Sequence, residues 1–117
     1  MAAYTRAVPQ EGTVAHVPTC DAALSNAFQL LGKRWNGVIL GTLVSGPAGF
    51  SDIRRALGGI SDSVLSERLS ELAAAGLVER KVAPGPPVGV SYELAPPGRA
   101  LAPVLQQLIE WARTHLR

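Results

Sequence analysis

The sequence predicts an α+β fold in which several helices are followed by a two-stranded hairpin and a long final helix. Residues 60–77 have the pattern of a helix with a capping serine at its start and a glycine at its end. A short amphipathic helix precedes this one, across Gly58-Gly59, and two stretches with strand-like alternation follow it, joined by a Pro-rich loop. Two short helices joined by glycine, followed by a hairpin, form a winged helix-turn-helix. We therefore expect this fold, with additional N- and C-terminal helices.

The composition sets limits on the class of protein. The 117 residues suit one domain, and 47% hydrophobic with only 5% aromatic residues predicts an aliphatic core. The net charge of +2 permits nucleic-acid binding without arguing for it. Arginine outnumbers lysine nine to two, which favours bidentate partners such as phosphate. No apolar run approaches the ~18 residues that span a bilayer, no signal-peptide pattern opens the chain, and there is one cysteine. We expect a cytoplasmic protein that does not bind membranes.

The N-terminal part divides into an arm and two helical patterns. Residues 1–18 show no periodicity and are predicted to form a flexible arm, followed by the domain of residues 19–117. Asp21 is a candidate cap for a helix that ends near Gly32. A second helical pattern runs from Trp35 to Val44. The two glycines inside it cost about 1 kcal/mol each relative to alanine, and they would allow another helix to approach closely.

The helix at residues 60–77 has one apolar face and one polar face. Ser61 is its predicted N-cap, Ile60 and Leu65 form a hydrophobic staple, and Gly76 ends it. Short polar side chains without bulky alkyl groups cover the surface that we predict to contact DNA: Ser61, Ser63, Ser66, Glu67 and Ser70. Such a face can approach the major groove closely. A helix face that is merely solvated gives the same pattern.

Five cations are candidates for contacts with DNA phosphate. Arg54 and Arg55 lie in the preceding helix, where the alternative is a solvated face. Arg68 falls inside the apolar arc, so we expect its stem to be buried and its head to meet a phosphate or, preferably, a carboxylate of the protein. Arg80 and Lys81 begin the hairpin, and alternation turns one of them inward, leaving at most one for phosphate.

The final helix, from about Pro97, carries an apolar stripe that is long for so small a domain. The predicted dimerisation residues are Leu101, Leu105, Leu108, Ile109, Trp111, Ala112 and Leu116. Either the stripe packs fully on its own domain, or it pairs with a second subunit. Pro103 is expected to kink the helix or to lie near its true start.

Few residues indicate reactive chemistry. Cys20 lies beside a predicted helix N-terminus, which stabilises a thiolate, although a cysteine is more commonly a small hydrophobe. His16 and His115 have no partner at metal-ligand spacing, so no metal site is expected. There is no nucleophile–base pair and no phosphate-cradling glycine loop. We therefore expect neither a cofactor nor enzymatic activity.

The order and spacing of many short motifs resemble the HxlR-type regulators, a winged-helix family related to the MarR group. The resemblance extends from Cys20 to Trp111. The matching residues are Leu31-Gly32, Trp35, Ile39-Leu40, Gly46-Pro47, Phe50-Ser51, Ile53–Leu57, Gly59–Ser61, Leu65–Leu69, Glu71-Leu72, Gly76–Val78, Arg80, Tyr92, Leu94, Gly98-Arg99 and Pro103–Leu105.

This resemblance implies a homodimeric bacterial transcription regulator that binds a double-stranded DNA operator and dimerises through its terminal helices. It also implies an effector, either a small molecule or an oxidant that acts on Cys20. The sequence departs from the family in two places. The helix at residues 60–77, which would be the recognition helix, has acidic and uncharged side chains on its polar face. The stretch around Gly89 in the hairpin, which would be the wing, carries no charge. Because each lost phosphate contact weakens the electrostatic part of binding, the alternative is a protein–protein interaction module with weakened DNA binding.

Overall fold

The computed structural model describes residues 17–116. The helices of this part are α1 (Ala22–Leu31), α2 (Asn36–Thr42), α3 (Phe50–Leu57), α4 (Asp62–Ala74) and α5 (Pro96–His115). The strands β1 (Val78–Ala83) and β2 (Gly89–Leu94) form one antiparallel sheet. The predicted winged helix-turn-helix with helices at both ends is confirmed. The predicted arm lies outside the described residues, except for residues 17 and 18.

A tight corner joins α1 to α2. Asp21 caps α1 as predicted, because its Oδ1 accepts a hydrogen bond from the backbone N–H three residues later at 3.0 Å. Trp35 has φ +82° and lies at the N-cap of α2, so the helix begins one residue later than its pattern suggests. Asn36 is 1% exposed, and its Nδ2 donates to the Leu30 carbonyl at 2.9 Å, which fixes the corner. After Thr42 the chain tightens into a 3₁₀ turn, Leu43–Ser45.

Local chemistry fixes both ends of α4. Two consecutive glycines, with φ +62° and +89°, make the turn from α3. The Ser61 Oγ then accepts the N–H three residues later at 3.2 Å, as expected of an N-cap. At the other end Gly76 has φ +82°, and its N–H and that of Leu77 donate to carbonyls of the last turn at 3.0 Å each. These are the two hydrogen bonds of a Schellman motif.

An aliphatic core holds α4 in place. Its Leu65, Leu69 and Leu72 are fully buried. The other buried side chains of this cluster come from α2, the 3₁₀ turn after it, α3, the turn before α4, the two strands and α5: Ile39, Leu40, Leu43, Ile53, Ile60, Val78, Leu94 and Leu105. Burial of the leucine face directs the polar face of α4 outward.

The β-hairpin is anchored at its base and leaves the core beyond it. Val78 pairs with Leu94, and both are buried. The strands continue in register to the pair of Ala83 and Gly89. Ala48, from the α2–α3 connection, adds a short antiparallel bridge to Tyr92. The remaining length of the hairpin therefore forms an exposed wing.

Helix α5 begins one residue before the expected Pro97. Two prolines occupy its first two positions, where their missing N–H groups need no partner. Pro103 lies inside the helix, so the predicted alternative of a start near Pro103 is wrong. Of the apolar stripe, Leu105 enters the core.

Candidate nucleic-acid interface

The outward face of α4 carries small polar groups. The predicted contact residues Ser61, Ser63, Ser66, Glu67 and Ser70 are all exposed. The Ser61 Oγ is already engaged in capping and lies 3.4 Å from the Ser63 Oγ. The surface thus consists of hydroxyl groups and one carboxylate, on a helix whose opposite side is fixed in the core. Hydroxyl groups can donate to or accept from base edges.

Each arginine of α3 lies at the surface beside a carboxylate. The Arg54 Nη1 is 2.7 Å from Asp62 Oδ1, at the first residue of α4. Arg55 forms an ion pair with Asp52, three residues earlier in α3. Exposed pairs of this kind contribute about 0–1 kcal/mol. A DNA phosphate could therefore replace either carboxylate at little cost to the fold.

Arg68 is placed differently, since its side chain is 15% exposed. Its Nε donates to the Arg34 carbonyl at 3.1 Å, and its Nη1 lies 3.5 Å from carboxylate oxygens of both Glu67 and Glu71. This is the internal placement that the sequence favours over a contact with DNA. Glu71 also accepts a hydrogen bond from Lys33 Nζ at 2.8 Å. That bond, with the charges of Lys33 and Arg68, holds the pKa of Glu71 below its ordinary value despite partial desolvation.

The wing presents both of its cations to solvent. The prediction that either Arg80 or Lys81 points inward is wrong, because only the first residue of β1, Val78, is buried. The Lys81 Nζ lies 3.6 Å and 3.7 Å from carboxylate oxygens of Glu79 and Glu93. Arg80 forms no ion pair within the described part of the chain. Of the two, Arg80 is the better placed to meet a phosphate.

An apolar groove lies between α1, α2 and α5, and none of its lining residues belongs to α4. It comprises two adjoining concave regions of about 460 and 480 Å³. Leu24 and Phe28 of α1 and Leu108 of α5 line it, and each is more than half exposed. Gly37 of α2 lies where the two regions meet, with open space beyond its Cα. Such an apolar surface is unusual on a protein without a partner.

The predicted dimerisation residues fall into two groups. Leu105 is buried, and Leu101 and Ala112 are half-buried, on their own domain. The others are exposed: Leu108, Ile109, Trp111 and Leu116. The apolar stripe is therefore partly packed on its own domain and partly exposed to solvent. The predicted dimerisation residues all lie in α5, although the family resemblance implies terminal helices in the plural and the apolar residues of α1 have helical spacing.

Cys20 lies just before the cap of α1 and is exposed. Its Sγ is 3.8 Å from the backbone oxygen of Asp21. A reagent in solution can therefore reach the sulfur. In residues 17–116 no three His, Cys, Asp or Glu side chains are grouped to hold a metal ion. Over the same range, no helix has the length and apolar character required to cross a membrane.

Comparison with known proteins places the chain in a family. Residues 30–117 match the family described as HxlR-like helix-turn-helix. The chain belongs to this family. Its HxlR-like relatives include the HTH-type transcriptional regulator YodB of Bacillus subtilis (strain 168), 46% identical over 89 residues, which are 76% of this chain and 80% of YodB. The relatives are regulators of transcription and not enzymes, as the sequence predicts.

Solved structures give the same HxlR-like fold. Reduced YodB from B. subtilis matches with a TM-score of 0.74 and 41% identity, over 85% of this chain and 97% of that chain. The redox regulator HypR in its reduced form matches with a TM-score of 0.75 and 30% identity, over 80% of this chain and 92% of that chain. Structures of YodB in diamide-treated and quinone-bound forms, and of HypR in its oxidized form, also match.

Proposed function

We propose that this transcription regulator binds a pseudo-palindromic operator as a homodimer, with α4 of each copy in the major groove. The observation that carries the proposal is the outward face of α4, where hydroxyl groups are exposed on a helix fixed by three buried leucines. Ser63, Ser66 and Ser70 would meet base edges. Arg54, Arg55 and Arg80 would contact phosphates and set the register of the protein on the duplex.

The apolar groove supports the proposed dimer. A second copy laid against α1, α2 and α5 would bury side chains that the isolated chain exposes, including Leu108 and Trp111. Two-fold symmetry would then place two copies of α4 on successive major grooves, about 34–36 Å apart. Pairing of the terminal helices thus supplies the symmetry that a pseudo-palindromic site requires.

The dimer is tested by placing a charge in the groove. Leu108→Glu should yield monomers in light scattering, because an unpaired carboxylate would be buried at the interface. Val88→Glu is the matched control, since Val88 is 66% exposed on the wing and outside the groove. Wild-type protein that is already monomeric at micromolar concentration would contradict the proposal.

DNA binding is tested by selecting duplexes from a random pool with the purified protein and sequencing them. We expect an enriched motif with two half-sites and an affinity that falls steeply with salt. The rival function is a protein-interaction module, which the uncharged loop at residues 84–88 and the paired cations of α3 support. Recovery of no motif, together with binding to a protein that is insensitive to salt, would favour the rival.

We further propose that an oxidant or electrophile regulates this activity through Cys20. Support comes from the exposed sulfur beside the start of α1, and from the quinone-bound and diamide-treated forms in which the relative YodB has been solved. Because α1 lines the proposed dimer groove, a modification at its N-terminus would reach DNA binding through the interface.

A further inference from the structure

The carboxylate of Asp62 occupies a position that favours an anion for two reasons. Asp62 is the first residue of α4, where the positive end of the helix dipole stabilises negative charge. Its Oδ1 also accepts a hydrogen bond from Arg54 Nη1 at 2.7 Å. The Asp62 carboxylate thus lies at the N-terminus of α4 and is also paired with an arginine of the preceding helix.

A second carboxylate near a helix start also pairs with an arginine, here within one helix. Asp52 lies in the first turn of α3 and pairs with Arg55. All four side chains remain largely exposed, between 43% and 70%. Exposed ion pairs add little to stability beyond what the helix dipole already gives these carboxylates. Their common effect is to neutralise the cations that face the proposed DNA backbone.

We propose that Asp62 competes with DNA phosphate for Arg54 and so lowers both the affinity and the salt dependence of DNA binding. The inference rests on the proposed function. To contact phosphate, Arg54 must exchange one anion for another, and the released Asp62 carboxylate then attracts a cation from solution. That uptake cancels part of the counterion release that drives protein–DNA association. The affinity for non-specific DNA, which is bound through charge alone, would be lowered most.

The test is Asp62→Asn, which keeps the shape of the side chain and removes its charge. Binding is measured by fluorescence anisotropy on a labelled random-sequence duplex of about three helical turns, over a range of salt concentrations. We expect up to about fivefold tighter binding at low salt, and a steeper dependence of log K on log salt by up to about one unit per protomer.

Two controls separate competition for Arg54 from a general effect of charge. Glu110→Gln removes the same charge from the exposed surface of α5, and it should leave both quantities close to wild type. The second control repeats Asp62→Asn in an Arg54→Ala background. Without the arginine there is nothing to compete for, so the change in salt slope should disappear. Thermal unfolding of each variant verifies that it is folded.

Different results overturn the two proposals. If wild-type protein binds the duplex and Asp62→Asn matches it in affinity and slope, the competition is refuted while DNA binding stands. An equal effect of Asp62→Asn in the Arg54→Ala background would also refute it, because Asp62 would then act by simple repulsion. If wild type and Asp62→Asn both fail to bind any duplex, the proposed function fails and the inference fails with it.

Discussion

Gly98 is the position where a single methyl group should disturb the placement of α5. It is buried in the first turn of that helix. A Cβ at this position would lie 2.3 Å from the Leu77 carbonyl oxygen and 3.2 Å from Leu94 Cδ2. The Leu77 oxygen cannot move freely, because it accepts the Ala95 N–H at 2.9 Å. Gly98→Ala must therefore push α5 away from the base of the wing.

The expected magnitude follows from two opposing effects. Non-bonded atoms prefer separations of about 3.5–4.0 Å, so the contact must open by more than about 1 Å. Overpacking of this kind costs about 1–3 kcal/mol, and weakening the Ala95 hydrogen bond adds about 1 kcal/mol. Helix propensity favours alanine by about 1 kcal/mol. The net loss is about 1–3 kcal/mol. At roughly 4 °C per kcal/mol for a domain of this size, it should lower the unfolding midpoint by about 4–12 °C.

Thermal unfolding followed by circular dichroism measures the effect of Gly98→Ala. Ala100→Gly is the matched control, because Ala100 is exposed two residues later in α5 and reports helix propensity without a steric contact. Both variants should be less stable than wild type. Gly98→Ala loses stability through the steric contact, and Ala100→Gly loses it through lower helix propensity. An increase in the midpoint of Gly98→Ala would show that propensity dominates and that the close approach to Leu77 is not needed.

Three further predictions concern charge and sulfur. Replacing Arg54 and Arg55 by alanine should weaken binding to all DNA sequences alike and reduce the salt slope by up to about two units, whereas a loss confined to one preferred operator would show that they read sequence. Diamide or a quinone should change the DNA affinity of wild type but not that of Cys20→Ser. An equal change in both proteins, measured by fluorescence anisotropy, would show that the Cys20 thiol does not mediate the response. Because the pKa of Glu71 is lowered in the folded protein, its ion pairs stabilise the fold above the unfolded pKa. The stability difference between wild type and Glu71→Gln, measured by urea unfolding, should therefore shrink as the pH falls below 4.5.

The features predicted well from the sequence are those decided by a few neighbouring residues. The caps at Asp21 and Ser61 and the glycine at position 76 each act within one turn of helix, and each behaves as expected. The inward placement of Arg68 also follows from helical periodicity alone. Such signals need no knowledge of where the chain goes next.

The features that escaped prediction depend on tertiary placement. Alternation predicts an inward side chain only where a core lies beneath the strand, and β1 leaves the core after Val78. The hydrogen bond between Lys33 and Glu71 joins residues 38 positions apart, and no local pattern connects them. The residues of α1 that line the groove could not be named for a similar reason, since an apolar helix stripe does not show which surface it packs against.

The division between buried and exposed residues decides which variants can test the proposed function. On α5, Leu105 belongs to the core while Leu108 does not, so a charge at Leu105 would unfold the chain and reveal nothing about a dimer. On the proposed DNA surface, exposed pairs such as Arg54 with Asp62 contribute little to stability, so removing either member should change the proposed DNA binding and spare the fold. The proposed DNA surface can therefore be altered at constant stability. The proposed dimer surface can be altered in this way where its residues are exposed, as along part of α5, on the outer face of α1 and at Val38 of α2.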